Sequence, residues 1–155
     1  MATVTTQSQW SFTQTPEQIY DFVSNPANWP VAYPGSMHIE GLPAHVPLVV
    51  GDTWAETGPH GEIYSWQLAV AVRPLLWVST TTGRLGHAGD GSGGREGKIT
   101  VEYRFLQPGC GDTLFQRTMT MDVVRESPFS DEFYGAFNPV HAERYFTAIA
   151  RELAS

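Results

Sequence analysis

Alternation of apolar and polar residues predicts that most of this chain forms β-strands. Successive side chains of a strand point to opposite faces, so apolar residues at every second position mark one buried face. The alternation is clearest at residues 62–72 and 98–106, and further strands are predicted at 4–13, 37–40, 53–57, 75–82 and 113–123. Arg73-Pro74 separates two of them, and Gly83 to Gly97 is expected to be a glycine-rich loop. Short turns between consecutive strands favour an antiparallel sheet.

Two short helices are predicted after the first strand. Thr15-Pro16-Glu17-Gln18 combines an N-cap threonine, a proline at the first helical position and a glutamine three residues after the cap, which is typical of a capping box. Pro26 disfavours helix in the residue before it, so this helix must end by Asn25. Asn25-Pro26 can begin a second short helix, and Trp29-Pro30 and Pro34-Gly35 are expected to end it.

A terminal helix is predicted after Asn138-Pro139, again a cap residue followed by proline. Its apolar stripe follows helical spacing and comprises Ala142, Phe146, Ile149 and Leu153. Residues Ser130 to Phe137 are a candidate for an earlier helical turn. Strand, two short helices, about six strands and a final helix give an α+β class, and the absence of repeats and linkers predicts one domain over residues 1–155.

Composition narrows the classes of function. The 155 residues include 9 Lys and Arg against 16 Asp and Glu, for a net charge of −7, which disfavours a nucleic-acid surface. Neither a membrane span nor a signal peptide is recognisable, and the single Cys110 cannot form an internal disulfide. We therefore expect a cytoplasmic protein, monomer or homodimer, whose partner is a small hydrophobic molecule. Charge is scarce and aromatic residues make up 12%.

The sequence indicates neither a nucleotide-binding site nor a metal site. Residues 89–94 match GxGxxG, but a dinucleotide site needs a helix next, and the pattern predicts a strand there. A hairpin loop, or a gate over a pocket, explains it better. None of the five histidines (His38, His45, His60, His87, His141) has the short spacing to another ligand typical of zinc sites. We expect no metal and no cofactor, with His60 in an exposed turn or at a pocket rim.

The candidate site consists of polar residues at strand positions whose neighbours on the same face are apolar. Arg117 shares a predicted strand face with Phe115, Met119 and Met121. If that face is internal, its guanidinium must be paired or must face a polar ligand. Glu56 shares a face with Trp54 in the same way, so it could pair with Arg117, or either could contact a ligand. The alternatives are that these faces are exposed to solvent, or that the two residues make separate structural bonds. These two residues are the catalytic candidates.

Aromatic and apolar residues on the same faces are the candidate ligand contacts. Large rings with one polar handle suit both core packing and an apolar ligand. The ligand-binding candidates are Trp54, Tyr64, Trp66, Trp77, Tyr103, Met119 and Phe146.

Residues 12–30, FTQTPEQIYDFVSNPANWP, together with VGDTW at 50–54 and the Arg73-Pro74 break, resemble the helix-grip family. This family is also called the SRPBCC, START or Bet v 1-like superfamily, and the sequence is similar to its bacterial polyketide cyclase/dehydrase and lipid-transport branch. The resemblance implies a curved antiparallel sheet of about six to seven strands wrapped around the C-terminal helix, with a hydrophobic cavity between them. Pro139 departs from the family's long terminal helix. The family has no universal catalytic residues to carry over.

Three functions follow from these expectations. The first is a cofactor-independent cyclase/dehydratase, a lyase, acting on a polyketide-like, aromatic or lipid ligand: Arg117 would hold a carbonyl or enolate oxygen, and Glu56 or a tyrosine would move a proton. The second is a non-catalytic carrier, sequestering or self-resistance protein for an apolar metabolite. An interaction module is the third, although the chain shows no charged docking run.

Overall fold

The described part of the chain forms a seven-stranded antiparallel sheet with three short helical segments and one longer terminal helix. A computed structural model describes residues 2–109, 111–123 and 139–154. The strands are β1 Ala2–Phe12, β2 His38–Glu40, β3 Thr53–Thr57, β4 Ile63–Val72, β5 Leu76–Leu85, β6 Arg95–Leu106 and β7 Thr113–Val123. The helices are α1 Pro16–Val23, a 3-10 turn Pro26–Asn28, α2 Trp29–Ala32 and α3 Pro139–Ala154. Cys110 and the candidate turn Ser130 to Phe137 lie outside the described residues.

The strand order β1-β7-β6-β5-β4-β3-β2 places the last strand beside the first. The sheet is curved, and α1 and α2 contact α3, so the helices lie together. Phe115 on β7 occupies the centre of the core, fully buried and within 5.0–6.2 Å of the rings of Phe12, Tyr103, Phe105 and Phe146. The predicted α+β helix-grip fold is confirmed.

Local sequence rules explain how α1 begins. The Thr15 hydroxyl accepts a hydrogen bond from the Gln18 amide at 3.2 Å, and the Gln18 side chain accepts one from the Thr15 amide at 2.9 Å, which completes the predicted capping box. Of the two stops predicted for the second helix, Trp29-Pro30 is wrong, whereas the helix does end before Pro34-Gly35. Pro30 lies in the first turn of α2, where an amide needs no helical partner, so the helix continues to Ala32.

The hairpin between β5 and β6 is longer than predicted. Gly83 and Gly97, expected in a loop, pair with each other as strand residues, so the loop contains only residues 86–94. Gly97 is required by close packing: a Cβ there would collide with the backbone oxygen of Asp122 and with Val123 on β7. Glycine is rare in strands in general, which is why composition alone predicted a loop.

A β-bulge interrupts the period-two pattern of β4. The register with β5 shifts between Leu68 and Val70, so the residues after the bulge change faces. Val72, predicted on the buried face, is 48% exposed, while Ala71 packs against the core.

Among the described residues, no helix is long and apolar enough to cross a membrane.

Candidate ligand cavity

A cavity of about 570 Å³ lies over the inner face of the sheet, within the range of small-molecule sites. Much of its wall is apolar, with Trp29, Trp66, Ile99, Val101, Met119 and Met121. Its polar side chains include Tyr33, Glu56, Tyr64, Tyr103, Arg117, His141 and Tyr145. Exposed residues of two loops, including His60 and Ser92, also line it. These loops therefore form the rim, and residues 89–94, which match GxGxxG, precede a strand rather than a helix.

Arg117 lies on the inner face of β7 and is only 8% exposed. Its guanidinium is 4.9 Å from the ring centre of Tyr33 and 5.5 Å from that of Tyr145, so cation–π attraction holds it in place. One Nη donates to the Met119 sulfur at 3.6 Å, a weak acceptor. Its Nε has no hydrogen-bond partner, and no carboxylate among the described residues forms an ion pair with it. A buried cation with such weak partners is suited to a ligand oxygen.

Glu56 lies on the inner face of β3 and is 5% exposed. Burial raises the pKa of its carboxyl to about 7, against the opposing effects of a hydrogen bond from Trp66 and the charge of Arg117. The Trp66 indole donates to Oε1 at 3.0 Å. At neutral pH this carboxyl is therefore divided between its neutral and ionised forms, which suits a group that accepts and returns a proton.

The sheet's curvature brings Glu56 and Arg117 into electrostatic reach of each other. Their strands are four positions apart in the sheet order, roughly 19 Å on a flat sheet at about 4.8 Å per strand. The charge of Arg117 nevertheless lowers the pKa of Glu56, yet the two form no ion pair. The direct Glu56–Arg117 pair considered from sequence is therefore absent, and both side chains line the cavity separately.

Two tyrosines complete the polar wall beside Arg117. Tyr103 is directly opposite Arg117 in the β6–β7 ladder, and the Tyr145 hydroxyl on α3 donates to the Tyr103 oxygen at 3.4 Å. Burial raises the pKa of both hydroxyls. They consequently remain protonated at neutral pH and act as hydrogen-bond donors.

Trp29 separates the cavity from the packed aromatic core. Its ring meets those of Trp54, Trp66 and Trp77 edge to face at 5.7–6.1 Å, and its indole N–H donates to the Val23 carbonyl at 3.1 Å. The hydrogen bond fixes the ring against α1. Trp29 thus forms a wall of the cavity while also covering two other tryptophans.

The candidate residues chosen from sequence divide into two groups. Those that line the cavity are Arg117, Glu56, Tyr64, Trp66, Tyr103 and Met119. Trp54, Trp77 and Phe146 do not line it; they are buried in the core, since other aromatic rings cover them. Their inward register was correctly predicted, but an inward side chain reaches a cavity only where no helix packs over it.

Sequence reasoning missed Tyr33, Tyr145 and His141. Tyr33 follows α2 in an irregular segment that has no periodicity to place it. Tyr145 lies three residues after Ala142, so the helical stripe could have identified it. His141 lines the cavity with a buried Nδ1 that lacks a hydrogen-bond partner. Among the described residues, no group of three His, Cys, Asp or Glu could hold a metal ion.

Solved structures with the same architecture cover almost the whole chain. Ara h 8.0201 is 13% identical with a TM-score of 0.68, covering 99% of both chains. A START superfamily protein from Mycobacterium smegmatis is 12% identical with a TM-score of 0.68, covering 97% of both. Norcoclaurine synthase from Thalictrum flavum, in complex with dopamine and hydroxybenzaldehyde, is 15% identical with a TM-score of 0.66, covering 99% of this chain and 87% of that one.

These similarities are structural only, because identities of 12–15% show a shared fold and no more. No protein-family model matches the sequence, and no curated protein matches it. The structural alignments nevertheless cover 97–99% of this chain. The chain therefore has the helix-grip fold of Bet v 1-like and START superfamily proteins.

Proposed function

We propose that this protein binds a small hydrophobic molecule, polyketide-like or aromatic, in the cavity and acts on it as a cofactor-independent cyclase/dehydratase. One observation carries the proposal: a buried carboxyl with a pKa of about 7 and a buried guanidinium without an ion pair among the described residues line the same largely apolar cavity. If these two residues served only to pack the core, apolar residues in their places would make the folded protein more stable. The pair is what acid–base chemistry on a carbonyl compound needs.

The reaction begins with a proton transfer. Glu56 in its ionised form takes a proton from a carbon next to a ligand carbonyl, and Arg117 stabilises the enolate oxygen that results. The enolate carbon attacks a second carbonyl of the same folded chain, so a C–C bond closes the ring. Protonated Glu56 returns its proton to the alkoxide that this attack leaves, which gives a β-hydroxy ketone. Glu56 then takes the second proton from the same α-carbon and returns it to the hydroxyl, which leaves as water while the C=C bond forms. Each proton taken is given back, so no cofactor is required.

The apolar wall contributes by folding the ligand. Trp29 and Trp66 offer flat surfaces in the same cavity as the two polar residues, and a flexible chain held there has its reacting carbons close together. Such confinement lowers the entropic part of the free-energy barrier to ring closure. Tyr103 and Tyr145 keep their protons and can hydrogen-bond a further carbonyl.

The test is turnover of a linear aryl β-polyketone, with loss of one water followed by mass spectrometry against a protein-free background. We expect wild-type turnover, and a decrease of about a hundredfold or more in kcat/KM for Glu56→Gln and Arg117→Met. Glu143→Gln, on the exposed surface of α3, serves as the matched control and should keep full activity. Equal turnover by all three variants would show that the assignment is wrong.

A carrier is the second candidate, because a largely apolar wall holds a ligand without any reaction. Native mass spectrometry of the same mixtures separates the two functions. A polyketone that binds one per chain and is released unchanged indicates a carrier. A product lighter by one water indicates the enzyme.

A further inference from the structure

The wall of the cavity around Arg117 holds more hydrogen-bond donors than acceptors. A guanidinium has five N–H groups and no acceptor. Among the described side chains, Arg117 donates to the Met119 sulfur at 3.6 Å and interacts with the Tyr103 hydroxyl oxygen, while its Nε is buried without a partner. The cation thus has donor capacity directed to a space that the described side chains do not fill.

The two tyrosines beside Arg117 add to this excess. Tyr145 and Tyr103 share a single hydrogen bond of 3.4 Å, which uses one of their two O–H protons. Arg117 cannot accept the other, because it has no lone pair. The Tyr103 oxygen accepts from Tyr145, so its own proton is the one that needs an acceptor. Glu56 does not supply it, since no hydrogen bond joins its carboxyl, which accepts from Trp66, to the Tyr103 hydroxyl.

We propose that Arg117, Tyr103 and Tyr145 form a subsite for an ionised oxygen group, so the ligand is an aromatic molecule that carries a carboxylate, sulfonate, phenolate or enolate. This inference rests on the proposed function, since it requires a ligand in the cavity. An oxyanion has several lone pairs and can accept from Nε and from the Tyr103 hydroxyl together. It also neutralises the buried guanidinium.

The surroundings favour an anion on an aromatic frame rather than a free inorganic ion. The rings of Tyr33 and Tyr145 flank the guanidinium at 4.9 and 5.5 Å, leaving its edge for the ligand. Trp29 and Trp66 line the rest of the space with flat apolar surface. A small ion would leave that surface wet, whereas an aromatic anion covers it.

Two fluorescent probes that differ only in the charged group test this subsite. The anion is 1-anilinonaphthalene-8-sulfonate, and its neutral counterpart is N-phenyl-1-naphthylamine, which lacks the sulfonate. Each is titrated into the wild type, Arg117→Met, Tyr103→Phe and Arg104→Met. Arg104 is the matched control, because it follows Tyr103 on β6, is exposed on the opposite face and hydrogen-bonds Glu102.

We expect the sulfonate to bind one per chain and to lose about tenfold or more in affinity with Arg117→Met, and about threefold or more with Tyr103→Phe. The neutral probe should bind all four proteins within about twofold, which also shows that each variant is folded and that its cavity is open. Arg104→Met should change neither affinity. Tyr103→Phe keeps the ring that stacks on Trp77 at 5.3 Å, so it tests the hydroxyl alone.

Different results would contradict the oxyanion subsite and the proposed function. If the sulfonate and the neutral probe lose affinity equally in Arg117→Met and Tyr103→Phe, or if neither loses any, the oxyanion subsite is wrong and the apolar cavity remains. If neither probe binds the wild type, both the subsite and the proposed function are overturned.

Discussion

Replacing Glu56 by glutamine should make the protein more stable at alkaline pH and leave it almost unchanged in acid. Glutamine matches the neutral carboxyl in shape, and its side-chain oxygen can still accept the Trp66 indole N–H found at 3.0 Å in the wild type. The variant therefore removes the ionisation of Glu56 and little else. The position is 5% exposed, so solvent screens this charge weakly.

The magnitude follows from the two pKa values. In the unfolded chain the carboxyl loses its proton near pH 4.5, and in the folded protein it does so at about pH 7. Below 4.5 both states hold the proton; between 4.5 and 7 only the folded state does, so the wild type loses stability as pH rises. Each pH unit is worth about 1.4 kcal/mol, so the complete loss is about 3 kcal/mol.

Urea unfolding of both proteins between pH 5 and pH 8 measures the effect. All other titrating groups are shared, so they cancel when the two free energies of unfolding are subtracted. We expect the advantage of Glu56→Gln to grow by about 2.5 kcal/mol over this range. Glu143→Gln should show a constant difference. A difference for Glu56→Gln that stays constant with pH, or that shrinks as pH rises, would refute the reasoning.

Three further substitutions test the core, the helix start and the buried cation, each by equilibrium urea unfolding. Phe115→Ala should cost about 3–5 kcal/mol, because the ring is fully buried among other rings; a cost below about 1 kcal/mol would contradict that packing. Thr15→Ala should cost about 1 kcal/mol by removing the capping box, and an unchanged stability would show that the cap contributes nothing. Arg117→Met should raise the free energy of unfolding at pH 5 by about 1 kcal/mol, since a buried cation with no described ion pair is replaced by an apolar side chain; a large decrease would mean that Arg117 serves packing.

The sequence predicted the inner faces of the strands well wherever alternation was unbroken. Period two placed Arg117 with Phe115 and Met119, and Glu56 with Trp54, and all five are buried. The bulge in β4 could not be anticipated from the pattern, because it inserts one residue without changing composition, and Val72 was misplaced for that reason. Strand faces follow from local chemistry, whereas bulges depend on how neighbouring strands fit.

The division of inward residues into cavity and core depended on tertiary packing. Trp54, Trp66 and Trp77 share the inner face of the sheet, yet only Trp66 lines the cavity. Trp29 covers the others, and its position is set by the short helices that follow Asn25. Tyr33 could not be placed either, since it lies after α2 in a segment without a repeating pattern.

The pH dependence of kcat/KM for the aryl β-polyketone tests the central claim most directly, because it reports the ionisation of the free enzyme. Glu56 acts as a base only when ionised, so the account predicts that kcat/KM rises through an inflection near pH 7, where stability is falling, and is level above about pH 8. Glu56→Gln should be much slower and should lack this inflection. A profile that is flat between pH 5 and 9, or an inflection that persists in Glu56→Gln, would contradict the account.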